Sequence, residues 1–155
     1  MSQSGSFSAV EAIDRQILEL LARDGRMSYT DLGKATGLST SAVHQRVKRL
    51  EQRGLILGYG ATVNHAEIGL PLTAFIAIRP FEPSQPDDAP TRLEHIPEIE
   101  SCWSVAGDES YMIKVRSHSP AELEELLARI RTAGNVSTRT TIVLSTYYEN
   151  RPVTG

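Results

Sequence analysis

The chain has 155 residues, 40% of them apolar and 23% charged, with a formal net charge of −3. That length suits one ordinary domain or two small ones, and that balance excludes a fibrous or broadly disordered chain. No run approaches the roughly 18 apolar residues of a membrane span, and the single cysteine, Cys102, excludes an internal disulfide.

The opening MSQSGSFSAV lacks the basic and apolar regions of a signal peptide. Residues 1–9 are expected to form a disordered tail, and the cytoplasm is the expected compartment. A helix is predicted from about Val10 to Arg23, with Ile13, Ile17, Leu20 and Leu21 at helical spacing. Asp24-Gly25-Arg26 ends it, with Gly25 suited to a left-handed cap. Ser28 caps a second helix from about Tyr29 to Thr36, with Leu32 and Ala35 inward. Gly37 and Leu38 make a sharp turn, Ser39 or Thr40 caps a third helix, and Gly54 stops it. Three helices with a tight turn before the last form a helix-turn-helix over residues 10–54. The next stretch, 55–69, contains LILGYGATVN and predicts a strand or hinge linker.

From Leu70 the apolar period changes from 3.6 to 2. Leu72, Ala74, Ile76 and Ile78 share one face of a strand over 72–81. Four prolines in 80–90 make a loop, followed by a short helix to about Ile96. Strands are predicted at 98–107 and 110–117, joined by Gly107-Asp108-Glu109-Ser110. Ser119 and Pro120 open a helix through 134, and 136–149 makes the last strand. The order β-α-β-β-α-β over 70–150 is the ferredoxin-like pattern.

Charge is unevenly spread. Residues 26–60 hold six basic side chains against Asp31 and Glu51, a net of +4 within an acidic chain. On the third helix Val47 and Leu50 fall within about 40° of Val43, at 100° per residue. Ser41, Gln45, Lys48 and Gln52 fall opposite, and His44 flanks them. Such side chains match the donors and acceptors of base edges in a major groove. Thr40, Ser41, His44, Gln45 and Lys48 are therefore the expected base readers. Arg46, Arg49 and Arg53 are the expected phosphate contacts, with Arg26 and Lys34 adding from neighbouring elements. A solvated basic face is the plainer reading, but the helical pattern, the Gly-Leu turn and the local charge coincide. The histidines are His44, His65, His95 and His118, with no metal-ligand spacing, and no catalytic set appears.

The stretch DRQILELLARDGRMSYTDLGKATGLSTSAVHQRVKRLEQRGLILGYGATVN resembles the N-terminal half of the Lrp/AsnC (feast/famine) transcriptional regulators. AGDESYMIKV resembles that family's Gly-Asp-x-x-Tyr segment, and TRTTIVL its last strand. The resemblance spans about residues 10–149. It implies an α+β chain: a winged-type helix-turn-helix domain, then a ferredoxin-like αβ-sandwich for effector binding and oligomerisation. It also implies double-stranded DNA as partner, a homodimer built through the C-terminal sheets, and higher assembly to tetramers or octamers. The implied effector is a small molecule, commonly an amino acid, bound between dimers without further cofactor. The positions carried over are Gly107, Asp108, Ser110 and Tyr111, with Thr138 and Thr140. Ser110 stands where many members have Asp, and the prolines at 80–90 replace much of a longer helix. Two other functions compete: a sirohaem decarboxylase-type enzyme on the same scaffold, and a ligand sensor that binds no DNA.

Overall fold

The computed structural model describes residues 10–82 and 88–153; the expected tail and the middle of the proline loop lie outside them. The chain forms two compact units, the first through Thr62 and the second from Val63 to Tyr147, with the last residues grouped with the first.

The first unit contains α1 (Ala12–Arg23), α2 (Tyr29–Thr36) and α3 (Thr40–Gln52). Ile17, Leu32, Val43, Val47 and Leu50 are fully buried together, with Leu38, Leu55 and Ile56 packed around them. The caps are local chemistry. Ser28 Oγ accepts from the Asp31 N–H at 3.0 Å, and Ser39 Oγ accepts from the Ala42 N–H at 3.2 Å. Gly37 takes the left-handed φ of 74° that only glycine adopts without strain. α1 ends differently from expectation. Asp24 is extended and its carboxylate accepts from the Arg26 N–H, so the aspartate, not Gly25, shapes this turn. On α2 the inward small residue is Gly33, while Ala35 is exposed.

Of the two alternatives for the linker, the strand does not form. Among the described residues, 55–69 contains no strand, and the helical unit has no pair of strands that would form a wing. Gly58 and Gly60 interrupt the β-formers there.

The second unit is β1 (Leu72–Pro80), α4 (Ala89–Leu93), β2 (Ile99–Ser104), β3 (Tyr111–Ser117), α5 (Pro120–Gly134) and β4 (Val136–Ile142). They make an antiparallel sheet in the order β2-β3-β1-β4. Ala74, Ile76, Ile78, Ile113 and Val115 bury against Leu93, Leu123, Leu126 and Ile130, so both helices cover one face. α4 stops early because Pro97 disfavours helical conformation at Ile96. β4 stops at Ile142, opposite Ala74, because β1 has almost no residues left to pair.

Gly33 carries a further constraint. A Cβ there would lie 2.6 Å from the backbone oxygen of Leu38, in the turn that aims α3. Gly33→Ala is expected to destabilise the helical unit by about 1–3 kcal/mol, the usual cost of overpacking. Thermal unfolding followed by circular dichroism checks this; an unchanged midpoint would contradict the close approach.

Candidate nucleic-acid interface and ligand depression

α3 divides its surface sharply. Val43, Val47 and Leu50 are fully buried. Thr40, Ser41, His44, Gln45, Lys48, Arg49 and Arg53 are all exposed. His44, Gln45, Lys48, Arg49 and Gln52 line one open groove along the helix. At the N-terminal end the Ser39 and Ser41 hydroxyls lie 3.2 Å apart. The His44 ring meets Tyr29 of α2 edge to face, with centroids 5.4 Å apart, which limits the imidazole's freedom. This face offers hydroxyl, amide, imidazole and ammonium groups in one row, flanked by guanidinium groups.

Arg46 is placed differently from its basic neighbours. Its side chain is only 24% exposed, and it turns toward α1 instead of outward. Nη1 donates to Asp14 Oδ1 at 3.0 Å and to Glu11 Oε2 at 3.1 Å. These hydrogen bonds, Asp14's first, push the guanidinium above its ordinary range, so it stays charged. A phosphate contact would have to compete with two carboxylates. On the wheel Arg46 lies about 60° from Val43, against about 120° for Arg49, at 100° per residue. That angle was the available signal.

In the second unit a depression of about 220 Å³ is lined by Ala77, Arg79, Asp108, Glu109, Ser137, Thr138 and Arg139. This is smaller than the roughly 300–1,000 Å³ of drug-sized sites. Arg79 Nε donates to the Asp108 carbonyl at 3.1 Å, tying β1 to the turn before β3. Arg139 pairs with Glu109 across its edge. The Ser110 N–H donates to the Ile78 carbonyl at 3.0 Å, so Ser110 helps to hold the turn. Cationic and anionic groups thus stand side by side, as recognition of a zwitterion requires.

Of the expected effector residues, Asp108 and Thr138 line this depression, and Gly107, Ser110, Tyr111 and Thr140 do not. Thr138 pairs with Ile78 and Thr140 with Ile76, and residues directly opposite share a sheet face. Both threonines therefore project to the helix-covered side, where Arg131 donates to Thr138 Oγ1 at 3.3 Å. Tyr111, opposite Ile78, packs against the core on that same side. The open face carries Arg79, Ser137 and Arg139 instead. None of the three was among the expected residues, although Arg79 follows the core Ile78 and Ser137 follows the core Val136, so strand parity places both on the open face. Gly107 and Asp108 are exposed on the turn.

Among the described residues no group of three or more His, Cys, Asp or Glu is placed to hold a metal. His118 Nδ1 lies 2.9 Å from the Gly69 carbonyl and fastens the loop before β1. Cys102 is exposed on β2, and partial desolvation raises its thiol pKa, the opposite of what a reactive cysteine needs.

Comparison with known proteins agrees with this layout. Residues 11–51 match the AsnC-type helix-turn-helix domain, and residues 73–153 match the Lrp/AsnC ligand binding domain. The chain is 55% identical to the HTH-type transcriptional regulator LrpA of Mycobacterium tuberculosis, over 92% of this chain and 95% of that one. It is 35% identical to the leucine-responsive regulatory protein of Escherichia coli, over 87% and 85%. Among solved structures, a feast or famine regulatory protein of M. tuberculosis complexed with L-methionine superposes with a TM-score of 0.93 at 54% identity. That superposition covers 95% of this chain and all of that one. AsnC of E. coli superposes with a TM-score of 0.87 at 30% identity, over 96% of this chain and all of that one.

The Arg79 tie yields a direct check. Arg79→Ala is expected to speed amide hydrogen exchange across residues 106–110 while moving the unfolding midpoint by no more than about 2 °C. Unchanged exchange in that turn would show that Arg79 does not hold it.

Proposed function

The chain belongs to the Lrp/AsnC family of transcriptional regulators, and from that premise we propose that it is a sequence-specific DNA-binding regulator controlled by a small effector. Residues 10–54 bind double-stranded DNA, 55–69 link, and 70–150 bind the effector and assemble the protein. Thr40, Ser41, His44, Gln45 and Lys48 read base edges, while Arg49 and Arg53 hold phosphates. The observation that carries this reading is the divided surface of α3, which is apolar where it meets its own unit and hydrogen-bonding where it faces out.

The effector is an amino acid. Arg79 and Arg139 suit its carboxylate, and Glu109 with the turn at Gly107–Ser110 suits its ammonium. The relative complexed with L-methionine supports an effector of this class. The protein is a homodimer that joins through the sheet face the helices leave open, where Trp103 is 46% exposed, and it assembles further into tetramers or octamers. An effector bound between dimers regulates by favouring one assembly over another. This reading makes the protein a regulator and not an enzyme, acting in the cytoplasm. The relatives named as regulators support it, and no helix among the described residues is long and apolar enough to cross a membrane.

Capture of genomic fragments by the purified protein, followed by sequencing, identifies the target duplex. On that duplex the Gln45→Ala, Lys48→Ala double variant is expected to bind at least about thirtyfold more weakly, since each lost base contact is worth roughly 1–3 kcal/mol. Undiminished binding by that variant would refute the reader assignment. Sedimentation and gel shift with each of the twenty amino acids test the effector. At least one is expected to change the assembly mass or the DNA affinity, and a flat response across the panel would sink an amino-acid effector.

A further inference from the structure

We propose that Arg46 is a positioning residue for DNA recognition, which sets the rotation of α3 through Asp14 of α1 and Glu11 just before it, and makes no DNA contact of its own. The inference rests on the DNA-binding role proposed for α3. Asp14 is the buried acid of the helical unit, 8% exposed, one turn before the fully buried Ile17 on the same face of α1. A carboxylate in such a place needs a charged partner, and Arg46 supplies it at 3.0 Å. The same Nη1 reaches Glu11, the residue that precedes the first turn of α1. One guanidinium therefore pins the middle of α3 to the start of α1.

Packing alone leaves α3 some freedom. Val43, Val47 and Leu50 form a stripe of smooth aliphatic groups that fixes depth better than rotation. The Arg46 bond is directional and lies to one side of that stripe, so a roll of α3 would break it. Rolling α3 by a small angle carries Gln45 and Lys48 along an arc at the helix surface, and base-edge hydrogen bonds fail within fractions of an ångström. Exposed Arg49 and Arg53 have long flexible stems and accommodate such a roll. Loss of the pin therefore strikes sequence recognition and spares phosphate attraction.

The test compares wild type, Arg46→Gln, Asp14→Asn and their double variant on the captured target duplex and on a random duplex, over a range of salt. A positioning role gives each single variant about a tenfold loss on the target, roughly one well-made base contact. Binding to random duplex and the salt slope stay unchanged, and the double variant is no worse than either single one. A phosphate contact gives the opposite pattern. Arg46→Gln would then weaken both duplexes equally and flatten the slope by about one, while Asp14→Asn would free the guanidinium and strengthen both. Either result overturns the proposal. Should Arg46→Gln fail to fold, Arg46→Lys and Glu11→Gln carry the same comparison, since Glu11 is 70% exposed and its loss leaves no buried charge. A wild-type protein that binds no duplex at all refutes the DNA-binding reading itself, whereas the patterns above separate positioning from contact within it.

Discussion

Everything proposed for the helical unit depends on how α3 is fastened to it. Val43, Val47 and Leu50 are all fully buried with Ile17 and Leu32. At about 1.5–3 kcal/mol for each buried side chain, this stripe supplies much of what holds three short helices together. Helices of eight to thirteen residues do not persist alone in water. Burial of one face fixes exposure of the other, so the proposed reading face is a by-product of the core. A polar substitution at Val47 would damage recognition without touching DNA.

The second unit obeys a different constraint, the two-residue period of a strand. On β1 the core takes Ala74, Ile76 and Ile78, which leaves Thr73, Phe75, Ala77 and Arg79 on the open face. The register then decides every other position. Arg139 stands opposite Ala77 and Ser137 opposite Arg79, so both join Arg79, whereas Thr138 and Thr140 join the isoleucines. A shift of one residue in β4 would exchange the two sets and erase the depression. The charged groups beside the turn at 107–110 are therefore set by pairing between β1 and β4, far apart in sequence.

These two constraints explain what was legible beforehand. Helical and strand periods are local, so Leu32, Val43, Ile76 and Leu126 declared their elements directly. Serine caps are local too, and Ser28, Ser39 and Ser119 all accept the predicted bonds. What escaped depends on a partner. β4 ends at Ile142 because β1 ends, which no property of VLSTYYE announces. Arg46 looks like its neighbours until Asp14 is found 3.0 Å away, 32 residues earlier in the chain. Thr138 and Thr140 lie on the strand expected, and the pairing with β1 that sets the face each takes is not written in TRTTIVL.

Charge completes the relation between the parts. The net +4 of residues 26–60 counts Arg46 as an outward charge, but two acids of the first helix neutralise it. On α3 that leaves Lys48, Arg49 and Arg53, with Arg26 and Lys34 nearby in sequence. Two phosphate contacts from one unit, by Arg49 and Arg53, would cost only about twelvefold in affinity between 50 and 200 mM salt, at a slope near −0.9 for each contact. The same arithmetic limits how tightly one unit can bind at physiological salt. Two units on one duplex would double the number of contacts and multiply their effects, which is the physical argument for the proposed dimer. The acidic remainder of the chain then serves the same end, because it keeps non-specific attraction to DNA confined to the helix that can read it.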